Sequence, residues 1–315
     1  MRILRHAHWA GALALLAMVA GCAIIAGPPT ARIELASAAL YVEENATFDA
    51  SSSSGSGIID YAWDFGNGMT ASGREVSITF TSPGHYTATL TVTDSEGRSG
   101  QAALDVTVYV RSGTRLFFED FSDGTSALGR WSLDPTWASA NDGWIEEIEE
   151  EENFALAVDS GEDRWHRRHA PLSLPPIRDG QRVVFRARVM TLQTQRSHTF
   201  AIVPLRKSIN APAGSLPYFE FSSDAEGSFL RQPTPFGNGT SAQVPFLPSV
   251  YRWHDYAFVY TASAYELWVD DILIADGPVT VDFVDGGTWF ILLGEESSTE
   301  ACSAYFDDIE ITIEE

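Results

Sequence analysis

The sequence predicts an all-β protein of two consecutive units, on three observations. Short runs of alternating apolar and polar residues recur from residue 31 to the end, punctuated by Ser, Gly, Asn and Pro clusters. No stretch of ten residues or more carries a helical apolar period. Beyond residue 110 the runs lengthen and tryptophans gather, seven of the nine lying between Trp131 and Trp289. Residues 31–110 have the length and strand spacing of a compact antiparallel sandwich. Residues 115–315 carry at least nine strand-like runs with no helix between them, which predicts a jelly roll.

The chain opens with Arg2 and Arg5, runs through an apolar block from Trp9 to Ala20, and ends that block in Ala20 and Gly21. A basic head, about a dozen apolar residues and a small-residue exit read as an export signal over 1–21, too short for a permanent span. The last residues of this stretch, Val19-Ala20-Gly21-Cys22, resemble the lipobox of bacterial lipoproteins. The resemblance implies acylation of Cys22, a membrane partner, and a tether over 22–30 leading away from the bilayer. Several acyl chains on one residue anchor firmly where a single chain would not. Ala23, in place of an aspartate, resembles the signal for the outer membrane in two-membrane bacteria.

"YAWDFGNGMTASG" at 61–73 and "SPGHYTATLTVTDSEGRSG" at 82–100 resemble the PKD domain, an immunoglobulin-like module. Asn67 stands where that family has an aspartate, and an amide can cap the same turn. Trp63 and Phe65 share one strand face and are expected in the core, with Gly66 and Gly68 supplying the turn. A four-residue linker, 111–114, follows.

"YRWHDYAFVYTASAYELWVDDILI" at 251–274 is similar to paired strands of laminin-G-like and concanavalin A-like domains, with Asp271 where a glycine is expected. "FFEDFSDG" near 117–124 and "YFDDIEI" at 305–311 are similar to the first and last strands of carbohydrate-binding jelly rolls, which lie side by side.

Removing residues 1–21 leaves 18 basic against 43 acidic residues, a net charge of −25. Such a chain repels polyanions, so nucleic acid is not expected as a partner. With Cys22 acylated, Cys302 has no disulfide partner in the chain and is expected as a buried small hydrophobe beside Tyr305. The run Ile309, Ile311, Ile313 sets a core-facing parity that puts Asp307 inward and Asp308 outward. A buried carboxylate needs a counter-charge. Glu119 or Asp120 could share a structural calcium ion with Asp307, as in similar jelly rolls.

Catalytic signals are weak. The acids of "EEIEEEE" at 146–152, including Glu147, Glu149 and Glu152, echo a laminarinase-type strand, but charges on both faces make the run a solvated loop. Neither a GxSxG elbow nor an HExxH pair occurs. "RWHRRH" at 164–169 reads as a loop neutralised by that acidic run, or as a contact for an anionic ligand. Trp131, Trp137, Trp144 and Trp165 fall in turn-rich segments and are the candidate platforms for stacking on sugar, whereas Trp253, Trp268 and Trp289 sit inside strands. The sequence thus points to an exported, lipid-anchored, non-catalytic protein that holds a binding jelly roll for extracellular polysaccharide or glycoprotein beyond a spacer. A polysaccharide hydrolase or lyase, and an envelope adhesion protein with a protein partner, are the alternatives.

Overall fold

The computed structural model describes residues 27–37, 39–133, 144–148, 153–159, 167–192, 198–208, 215–222, 227–234, 237–294 and 301–315. Cys22 and the export signal lie outside them. The chain is all-β, and a 3-10 turn at Gly124–Gly129 is the sole helical element among the described residues. None of their helices is long and apolar enough to cross a membrane.

The first sandwich packs a three-stranded sheet, Glu34–Leu35, Asn45–Asp49 and Glu75–Thr79, on a five-stranded one in the order Leu40–Tyr41, Ser99–Tyr109, Gly84–Asp94, Ile58–Asp64, Thr70–Ser72. Alternation along these strands delivers Phe48, Trp63, Phe65, Phe80, Leu90 and Val92 to the space between the sheets. Trp63 lies parallel to Phe65 at 6.0 Å and its indole nitrogen donates to the Gly73 carbonyl, so it belongs to the core. Gly66 and Gly68 adopt φ of 75° and 84°, which favours glycine. The Asn67 side chain accepts from the Met69 amide at 3.0 Å and does the capping expected of an aspartate. Pairing begins inside the expected tether: Thr30 and Ser54 exchange backbone hydrogen bonds of 2.7 and 2.9 Å.

The second unit is a jelly roll of two facing sheets. Its front sheet runs Trp144–Ile148, Asn153–Asp159, Ala301–Glu314, Arg182–Thr191, Trp253–Tyr260, Ala264–Val269, Ile272–Pro278. The first strand, Arg115–Glu119, pairs with the last, Ala301–Glu314, as the sequence predicts. The back sheet runs Ser132–Leu133, Arg167–Leu174, Gly287–Gly294, His198–Arg206, Tyr218–Ser222, Gly227–Thr234, Gly237–Val244. Phe185, Phe200, Phe219, Tyr256, Phe258, Trp289 and Phe306 fill the interior between them. Arg168 and His169, the end of the basic island, are not in a solvated loop. They lie on Arg167–Leu174 and are buried, with the Arg168 guanidinium donating to the Trp131 carbonyl at 3.2 Å.

One register fault interrupts the sequence parity. Arg186 opposes Glu310 and Arg188 opposes Asp307, so two steps on one strand match three on the other. The extra residue is accommodated at Asp308, whose φ of 48° marks a bulge. Phe306 and Ile309 both belong to the core, and of the two acids between them Asp307 is buried, as expected, while Asp308 is half-exposed.

The junction between the two units is bonded rather than loose. Gly113 and Thr114 pair with Ile313, Gln181 donates to the Val110 carbonyl, and Arg111 is hydrogen-bonded to Glu44 while covering the Tyr41 ring. Val42 of the first unit packs against the core of the second.

Candidate functional site

The front sheet turns alternate residues outward, and five of them stand side by side across five strands: Phe118, Glu310, Arg186, Ala257 and Trp268. Neighbouring strands are about 4.8 Å apart, so the row spans roughly 19 Å from Phe118 to Trp268. A second row, Arg188 and Asp255, runs alongside, and Asp307, opposite Arg188, is buried outside the cleft. The two rows enclose a cleft of about 450 Å³, lined also by Asp271 and Asp308. Its shape follows from residue size: Ala257 is the low point of the row, and a phenyl and an indole stand at its ends.

The floor is a lattice of ion pairs. Arg186 donates to Glu314 at 2.8 Å and to Thr312 at 3.3 Å. Arg188 stands 3.4 Å from Asp308 and 3.9 Å from Asp255, with its guanidinium 4.8 Å from the centre of the Trp253 ring. Trp268 donates to Glu266 at 2.8 Å, which fixes its indole, and Phe118 is 44% exposed. Next to the cleft, the His254 ring accepts from the Ser249 amide through Nε2, so its Nδ1 carries the proton given to Asp270 at 2.8 Å. Burial pushes the Asp270 carboxyl up, but the bonds from His254 and the Asp255 amide outweigh it and hold the group below the usual carboxylate range. This pair clamps the hairpin that carries Trp268 and Asp271.

Asp307 is a buried acid of this region. Burial pushes it up to about 7; the Asp308 amide and Arg188 oppose the shift, and the charges of Asp308 and Asp120 reinforce it. It is only 1% exposed and does not line the cleft.

The sequence-predicted sites fare unevenly. Trp131 is 1% exposed, packed edge-on against Phe117 at 5.8 Å, with its indole nitrogen directed to Glu119. It is a core residue and no sugar platform. Trp137 and Trp165 lie outside the described residues. Trp144 opens a strand opposite Ala157, and its side chain lies outside the description. Glu119, Asp120 and Asp307, the acids expected around a calcium ion, are not brought together as a group of three. The Glu119 carboxylate is saturated by the Phe121 amide, two nitrogens of Arg130 and the Trp131 indole, while Asp120 is turned to Ser122, whose hydroxyl and amide hold its carboxyl below the usual range. Among the described residues no three His, Cys, Asp or Glu side chains stand close enough to share a metal ion. Cys302 pairs through its backbone with Thr199, and its side chain is likewise outside the description. Of the acidic run, Glu147 is exposed.

The residues that build the cleft were missed as functional. Trp268 sits between core residues Leu267 and Val269, and Arg186 and Arg188 alternate with Phe185, Ala187 and Val189. The period of two therefore carried the signal: a strand tryptophan out of phase with its apolar neighbours faces outward.

Residues 26–108 match the family model of the PKD domain. The first sandwich is a PKD domain. Over 121 residues, 38% of the chain, the sequence is 35% identical to the pre-pro-metalloprotease PrtV of Vibrio cholerae, of which that stretch spans 12%. The solved PKD1 domain of the same metalloprotease is 36% identical, with 26% of this chain and 96% of that one covered and a TM-score of 0.23. The chain is also similar to the carbohydrate-binding module CBM66 from Bacillus subtilis at 13% identity, 59% of this chain and 96% of that one covered, TM-score 0.35.

Proposed function

We propose that this protein binds extracellular glycan, without catalysis, through the outward cleft of the jelly roll, and that the PKD domain serves as the spacer between that cleft and a lipid anchor at Cys22. The observation that carries the reading is the row from Phe118 to Trp268: two aromatic faces flanking a shallow floor of alternating guanidinium and carboxylate groups. Aromatic faces suit the CH surface of a pyranose, and the floor offers donors and acceptors for its hydroxyls. A chain-like ligand fits because the row is long and open. Catalysis is not part of the proposal: among the described residues Asp307, whose carboxyl burial pushes up to about 7, is buried and does not line the cleft.

Affinity electrophoresis of the purified protein in gels containing soluble polysaccharides tests the reading. Retardation by at least one polysaccharide is expected, and Trp268→Ala should weaken it by about tenfold, the loss of one stacking face. Retardation that survives Trp268→Ala unchanged would place the site elsewhere.

A further inference from the structure

The proposed glycan site also carries information on which glycans it takes, and this inference rests on that reading. We infer that the cleft selects neutral polysaccharide and rejects uronate and sulfated chains. The two arginines on its floor are the groups that would recognise an anionic sugar, and both are already neutralised. Arg186 is bonded to Glu314. Arg188 is flanked by Asp308 at 3.4 Å and Asp255 at 3.9 Å. Among the cleft residues, Arg186 and Arg188 stand against Asp255, Asp271, Asp308 and Glu310, a net charge of −2.

An incoming carboxylate or sulfate would have to displace one of these acids from its guanidinium and leave it unpaired beside the ligand. Like charges so placed are costly, and the excess acid of the whole chain adds to the repulsion within a screening length. A neutral sugar meets no such barrier. Each hydroxyl both donates and accepts, and an arginine–aspartate pair presents an acceptor and a donor within one sugar's reach. The apolar share of the contact comes from Trp268 and Phe118 at the ends of the row, and the Arg115 guanidinium, 4.5 Å from the centre of the Phe118 ring, is opposed by Glu310 at 3.8 Å. Specificity is therefore set by the ion-pair lattice and affinity by the aromatic ends.

Calorimetric titration of the purified protein with soluble neutral β-glucan and galactomannan, against alginate, pectate and a sulfated galactan, decides the matter. Neutral chains should bind with affinity that changes less than about twofold between about 0.05 and 0.5 M salt, and anionic chains should bind about tenfold more weakly or not at all. The double variant Asp255→Asn/Asp308→Asn removes two of the acids around Arg188, leaving Asp307 at 3.9 Å, and should narrow that gap by about fivefold, with binding of the anionic chain now weakening in salt. Tighter binding of an anionic chain, lost in Trp268→Ala, would overturn the inference while leaving the glycan site intact. If no chain binds, or binding ignores Trp268→Ala, the glycan reading falls and the inference with it.

Discussion

Asp307 shows what a single buried carboxyl does to this jelly roll. An unfolded aspartate loses its proton near its ordinary value of 3.8, whereas in the folded protein burial holds the proton until about 7. Between those two values the folded state binds more protons than the unfolded one, so this group makes stability fall as pH rises, and the penalty is complete above about 7. Asp307→Asn removes the charge and keeps an oxygen to accept from the Asp308 amide. The variant should gain about 2 kcal/mol at pH 8, seen as a melting point higher by several degrees, and nothing near pH 3.5. Equal melting of parent and variant at pH 8 would mean that Asp307 is ionised without cost. The burial itself was legible in the sequence: the parity of Ile309, Ile311 and Ile313 put Asp307 inward and Asp308 outward, and Asp307 is buried while Asp308 is half-exposed. The bulge at Asp308 that interrupts the parity leaves no mark in residue type.

At the level of elements, the hairpin joining Ala264–Val269 to Ile272–Pro278 is the informative one. Both of its turn residues are left-handed, Asp270 at φ 49° and Asp271 at φ 61°, the pattern of a tight turn that favours Asp or Asn followed by Gly. The absence of glycine at 271, visible in the sequence, was accordingly a local strain rather than a change of turn. Asp271→Gly relieves it and should stabilise the protein by about 0.5–1 kcal/mol in denaturant unfolding. Asp270 does not tolerate the same change, because its carboxylate receives the proton of His254 and the Asp255 amide. A destabilised Asp271→Gly protein would show that the aspartate side chain has a role the geometry does not reveal. The strands themselves were legible from alternation, and the pairing of Arg115–Glu119 with the C-terminal strand was expected from the resemblance to jelly rolls whose first and last strands lie side by side. The fate of Glu119 was not: its partner Arg130 returns through the 3-10 turn at Gly124–Gly129, and a contact made across such a turn has no period to betray it.

For the whole molecule, the two units share more than a linker. Backbone pairing of Gly113 and Thr114 with Ile313, the Gln181 bond to Val110 and the packing of Val42 hold the PKD domain against the end of the jelly roll. The excess of acid, legible from composition alone, reappears at the cleft as a floor whose cations are all compensated. The division into a sandwich and a jelly roll could be read from strand spacing, and the PKD motif from its Trp-Asp-Phe-Gly turn. The binding face could not be read from turn-rich tryptophans, because Trp131 is drawn into the core by Phe117, Phe121 and Glu119, while the strand tryptophan Trp268 stands at the surface. The central claim is that a glycan lies along the row from Phe118 to Trp268. Ala257 is the floor of that row and touches solvent rather than core, so Ala257→Leu blocks the path while leaving both aromatic ends and every ion pair in place. Titration of this variant with the polysaccharide that the parent retains should show affinity lowered about tenfold or more, with the melting point unchanged. Affinity equal to that of the parent would contradict the account, since no chain could then be passing over Ala257.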